Sequence, residues 1–207
     1  VTPAPAFELA LPGTWTRFGS DDPAEVARQV HGYVLRRFGH RDQDASARAA
    51  VRRRLREVVD TAVAQRARAV FVADELAPGV EVPATITVFE PEDMQIPATA
   101  IAAGDDPLTL LRDGLLAAWA GGNDAAVVEV PAAGATALRV VTIDEQLLHP
   151  EDPATRVRHL RADYWLPYPG TTRVALVSCF TPLGDVAHTM VRFFDAILFR
   201  ARVLEAR

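Results

Sequence analysis

The stretch that decides the fold is the last fifty residues: LRADYWLPYPG (160–170), TTRVALVSCFTP (171–182) and LGDVAHTMVRFFDAILFRARVLEAR (183–207). It reads as strand, tight turn, strand and amphipathic helix. In the second strand Val174, Leu176 and Phe180 point one way and Ala175, Val177 and Cys179 the other. Both faces are apolar, so both are expected to be covered, which places this strand at the centre of a sheet. Val186, Met190, Phe193, Phe194, Ile197, Ala201 and Leu204 are expected to form one apolar helix face, which must dock on that sheet.

Working outward, the texture upstream alternates between hairpins and helices. Phe7–Leu11 alternates as a half-buried strand, Pro12-Gly13 turns the chain, and Thr14–Phe18 returns. Asp22, Pro23 and Glu25 form a helix start, and Val26, Val30, Tyr33 and Val34 share one face until Gly39. A second helix is expected from about Asp44 to Ala67, with Val51, Leu55, Val58, Val59 and Ala62 as its apolar stripe. Ala69–Ala73 and Pro83–Glu90 read as a hairpin. Residues 91–104 read as loop, with a short extended piece. Asp106-Pro107 opens a third helix whose buried face is Leu108, Leu111, Leu115 and Trp119 and which stops at Gly121-Gly122. Ala125–Val130 and Ala137–Ile143, joined by 131–134, make another hairpin, and Val157–Tyr168 pairs with Arg173–Thr181 in a third. The sum is an α+β fold: an antiparallel sheet of six to seven strands with helices on both faces, an αβα sandwich. It is expected as one domain with a helical pair inserted at about 22–67.

Composition fits a packed core. Of 207 residues, 49% are hydrophobic, and no apolar run approaches a membrane span. All 22 basic residues are Arg, a bias expected of a GC-rich bacterial genome. The opening VTPAPAFELALPG lacks the basic and then apolar pattern of a secretory leader, so the default expectation is a cytoplasmic protein. Charge is uneven: residues 26–68 hold eleven arginines against four acids, and 74–152 hold fifteen acids against two arginines.

Arg48, Arg52 and Arg56 recur at i, i+4 and i+8 as a basic stripe, with Arg53 and Arg54 beside it. Such a stripe grips phosphate or an acidic partner, or simply faces water. Residues 44–67 hold no aromatic and the chain is acidic overall, which argues against nucleic acid. Tyr164, Trp165 and Tyr168 flank prolines near a strand end, where aromatics serve as binding anchors or as lids on the core. Cys179 and His188 are close in sequence, but an apolar setting raises a thiol pKa, and no elbow glycine or oxyanion loop accompanies them. His31, His40, His149, His159 and His188 show no metal spacing. No Gly-x-Gly-x-x-Gly or P-loop is present. No catalytic, cofactor or metal residue is therefore assigned, and no cofactor is expected.

The pattern Phe7-x-Leu9-x-Leu11-Pro12-x-x-Trp15, followed late by YWLPYP (164–169), VALVSCFTP (174–182) and Phe194-Asp195-Ala196-Ile197, resembles the PsbP-like superfamily. That group includes a photosystem II extrinsic subunit, a Ran-binding nuclear import factor and bacterial lipoproteins of the LpqN type. The resemblance covers the two ends of the chain. The chain departs from it in the length of its basic helix pair and in lacking a lipobox. The resemblance implies a non-enzymatic protein-binding or assembly accessory, with some bacterial members near type VII secretion. Two other readings are a small-ligand binder or enzyme with a pocket under the 91–104 loop, and a module that docks acidic partners through its basic helix.

Overall fold

The structure is a computed structural model that describes residues 6–19, 22–39, 45–91, 94–119, 127–147, 151–152 and 155–204. In chain order the elements are β1 (Ala6–Glu8), β2 (Thr14–Phe18), α1 (Pro23–Phe38), α2 (Ala45–Ala64), β3 (Ala67–Glu75), β4 (Thr85–Phe89), α3 (Ala98–Ala103) and α4 (Pro107–Trp119). They continue as β5 (Val128–Ala132), β6 (Ala135–Leu147), β7 (Arg156–Pro167), β8 (Val174–Thr181), α5 (Ala187–Arg200) and β9 (Arg202–Leu204). The expectations that rested on His40, Asp44, Gly121-Gly122 and His149 lie outside the described residues.

Seven strands form one antiparallel sheet in the order β2-β3-β4-β8-β7-β6-β5. β8 is the middle strand, as its two apolar faces required. On one face Ala175, Val177 and Cys179 are buried with Met190, Phe194, Ile197 and Leu198 of α5. On the other, Val174 and Leu176 pack with Ile96, Leu111, Leu115, Leu138 and Trp165, the cluster beneath α3 and α4. Further along that second face, α1 and α2 cover β2 and β3 through Phe18, Val26, Val30, Val34, Val59, Ala62 and Val70. The residues beneath the two helical groups form separate clusters. Phe180 is 37% exposed, so the second face of β8 is covered at one end only.

The sharpest departure from expectation is at the C-terminus. α5 stops at Arg200, Ala201 is extended, and Arg202–Leu204 becomes a strand on β1, with Phe7 opposite Val203. Leu204 therefore leaves the helical face, because pairing with β1 overrides helix propensity. Val186 belongs to a 3-10 turn before α5 and is half exposed. That turn sits hard against β7: a Cβ on Gly184 would lie 2.7 Å from the Arg158 carbonyl carbon and oxygen, so only glycine fits. α5 is latched by Asp195. Its carboxylate accepts from the Tyr164 hydroxyl at 2.8 Å and from Arg139 at 2.5 Å, residues paired across β6 and β7.

Smaller differences have local causes. α2 ends at Ala64, and Val58 faces water while Val59 and Ala62 are buried. Residues 98–103 form a short helix where loop was expected. The β5–β6 connection is only Ala133-Gly134, with φ 51° and 76°, the left-handed pair that a two-residue hairpin needs. Strand β5 runs through Pro131 because an edge strand can forgo one N–H.

Candidate functional site

The arginine stripe is placed by α1 and α2. Asp22 starts α1 by accepting the Ala24 N–H at 2.9 Å. On α2, Arg52 and Val59 are seven residues apart, close to two full turns, so they share a side of the helix. Arg48, Arg52 and Arg56 are half-buried, while Arg53 and Arg54 are exposed. Between the two helices runs a groove of about 300 Å³ lined by Ala27, Val30, Ala49, Arg52, Arg53 and Arg56. Its floor is small and apolar and its rim is guanidinium. Arg56 Nε lies 2.7 Å from both oxygens of Asp60. Arg53 and Arg54 make no hydrogen bond or ion pair with a described residue. Arg52 Nε is buried and has no hydrogen-bond partner among the described residues.

The three aromatics are brought to three different places, all buried. Tyr164 lies under α5 on Asp195. Trp165 faces the opposite side, with Leu111 and Leu115 of α4. Tyr168 donates to Glu90 at 3.1 Å, and Glu90 also holds Arg173 at 2.6 Å and Arg68 at 3.0 Å. Burial raises both phenol pKa values, with the neighbouring carboxylates adding to it. This segment forms no aromatic rim for a partner to grip; its rings are lids on the core.

Cys179 is fully buried, and burial holds its thiol well above the ordinary range. His188 is exposed on α5. Among the described residues no group of three or more His, Cys, Asp or Glu is placed to hold a metal ion. Among the same residues no helix is long and apolar enough to cross a membrane.

One polar cluster was not anticipated. Sheet register aligns Thr87 of β4, Ser178 of β8 and Asp163 of β7 in one row, with Thr85, Phe180, Arg161 and Thr142 in the next. These rows cross the middle of the sheet between the α1–α2 and α3–α4 clusters. Asp163 is nine-tenths buried; Ser178 donates to it at 2.6 Å and Arg161 Nε lies 3.1 Å away. Burial raises its pKa, opposed by the Ser178 hydroxyl and Arg161. The His159 ring sits 5.3 Å from Phe180. The period-two pattern His159, Arg161, Asp163 within β7, with Ser178 interrupting apolar β8, was the signal for it.

No family model and no curated protein matches the chain. Among solved structures the chain is similar to one titled "Crystal structure of LpqN involved in cell envelope biogenesis of Mycobacterium tuberculosis", at 12% identity. The superposition covers 97% of this chain and 84% of that one, with a TM-score of 0.45. A superposition this loose carries no argument about function. The PsbP-like superfamily is not named by these comparisons and stands as a resemblance of the two ends of the chain.

Proposed function

We propose that this protein is a non-enzymatic binding or assembly accessory that docks an acidic protein partner on the arginine face of α1 and α2. The observation that carries the reading is the groove between them, lined by Arg52, Arg53 and Arg56, of which Arg52 and Arg53 make no hydrogen bond or ion pair with a described residue. Guanidinium groups at the rim of such a groove offer charged donors to a partner carboxylate. Protein is favoured over nucleic acid because α2 offers no aromatic on which a base would stack. The finer expectation, an accessory of a type VII secretion system, draws on the sequence resemblance alone.

The test is a pull-down with wild type and an Arg48/Arg52/Arg56→Glu variant. Loss of a partner from the variant is expected. Equal partner sets from two folded proteins would remove the reading.

A second reading, a small-ligand binder, is favoured by the polar rows around Asp163. A metabolite panel that raised the melting temperature of wild type but not of Asp163→Asn would favour it.

A further inference from the structure

We infer that the α1–α2 groove takes a helix, acidic at i and i+4 with small apolar residues between. The inference rests on the docking reading above and specifies the partner's form. The groove is the interval between two helices. Its α2 wall is Ala49, Arg52, Arg53 and Arg56, residues three and four apart on one helix face, and its α1 wall is Ala27 and Val30. From Ala49 to Arg56 it runs about 10 Å, at about 1.5 Å per residue. Ala27, Val30 and Ala49 keep the floor shallow, so a third helix can approach to the usual interaxial distance of roughly 8–10 Å.

Charge sets the register. Arg52 and Arg56 rise about 6 Å apart along α2, the same rise that separates carboxylates four residues apart on a partner helix. Arg52 makes no hydrogen bond or ion pair with a described residue. Arg56 is shared with Asp60, and Arg53 at the rim pairs with no described residue. An extended acidic segment presents carboxylates at a similar spacing, but its backbone finds no partner here. The walls are helices whose backbone groups are already paired within themselves, whereas a helical guest carries its own backbone bonds. A lone anion would answer Arg52 and leave the apolar floor bare.

The test is fluorescence anisotropy at low ionic strength, where surface charge is least screened. One labelled probe is a four-repeat Glu-Ala-Ala-Ala peptide. The other is the same peptide with its two central repeats broken by proline. The helical probe is expected to bind about tenfold more tightly than the broken one. Arg52→Gln is expected to cost it about tenfold, as loss of a charged hydrogen bond does. Ala49→Trp, which fills the floor from an exposed position, should cost a similar factor with the circular dichroism spectrum unchanged. Arg200→Gln, on α5, should bind as wild type does.

Equal affinity for the two probes, or wild-type affinity in Ala49→Trp, overturns the helical inference and leaves the docking reading standing. Displacement of the helical probe by about 1 mM inorganic phosphate would mark a simple anion site and also overturn it. Failure of both probes to bind removes the docking reading itself.

Discussion

Replacing Asp195 by Ala removes the one acceptor shared by the Tyr164 hydroxyl and Arg139 and strands both donors beneath α5. Tyr164 is fully buried, so its hydroxyl loses its partner with no water to replace it. Leaving a buried donor unsatisfied costs about 1–3 kcal/mol. The Arg139 side chain is 17% exposed and Asp195 30%, so the guanidinium recovers some hydration and its share sits near the low end, about 1 kcal/mol. The expected loss is therefore about 3 kcal/mol. For a chain of this length that is roughly 6–12 °C in Tm. Urea denaturation followed by tryptophan fluorescence reads it as a lower midpoint at unchanged slope. Tyr164→Phe alone should cost about 1 kcal/mol, because Asp195 keeps Arg139. The double variant should fall short of the sum by about 1 kcal/mol, since no hydroxyl is left stranded. A loss under about 1 kcal/mol in Asp195→Ala, or strict additivity, would show that the latch does not hold the helix.

Three further outcomes follow from the packing. Gly184→Ala drives a methyl into the Arg158 backbone and should cost about 1–3 kcal/mol by thermal melt; a neutral result would show that the 3-10 turn is not pressed against β7. Burial raises the Asp163 pKa above its ordinary value, so just above the unfolded pKa the folded chain binds more of this proton than the unfolded chain does. Its contribution is full below the unfolded pKa of about 4 and declines as pH rises through the raised folded value. The stability of wild type relative to Asp163→Asn should therefore fall from about pH 4 toward neutrality, and a pH-independent difference counts against the burial. Native Cys179 should react with iodoacetamide at least about a thousandfold more slowly than the unfolded chain, so rapid native labelling would place it outside the core.

Most of the sheet was legible in the chain because alternation and turn residues report strands directly. Two-sided apolarity marked β8 as central, and Pro169-Gly170 marked its hairpin with β7. What escaped depends on contacts distant in sequence. Arg202–Leu204 continues a helical pattern, and only β1, some two hundred residues away, makes it a strand. Phe180 looked like core because the strand is apolar on both faces, yet the helices on that side stop short of it. Asp163 and Ser178 are ordinary polar residues until register aligns them. The arginine stripe was visible, but its placement against α1 was not. Periodicity alone cannot show that Arg52 lines a groove against α1 rather than facing water.

Under the docking proposal, partners seat on α1 and α2. Site-specific photo-crosslinking in the native host tests it most directly, with a benzophenone amino acid placed at Ala49 in the groove or at Ala196 on the outer side of α5. A discrete adduct is expected from position 49, lost on adding Arg52→Glu, and none from position 196. Adducts from position 196 alone, or an adduct from position 49 indifferent to Arg52, would contradict it.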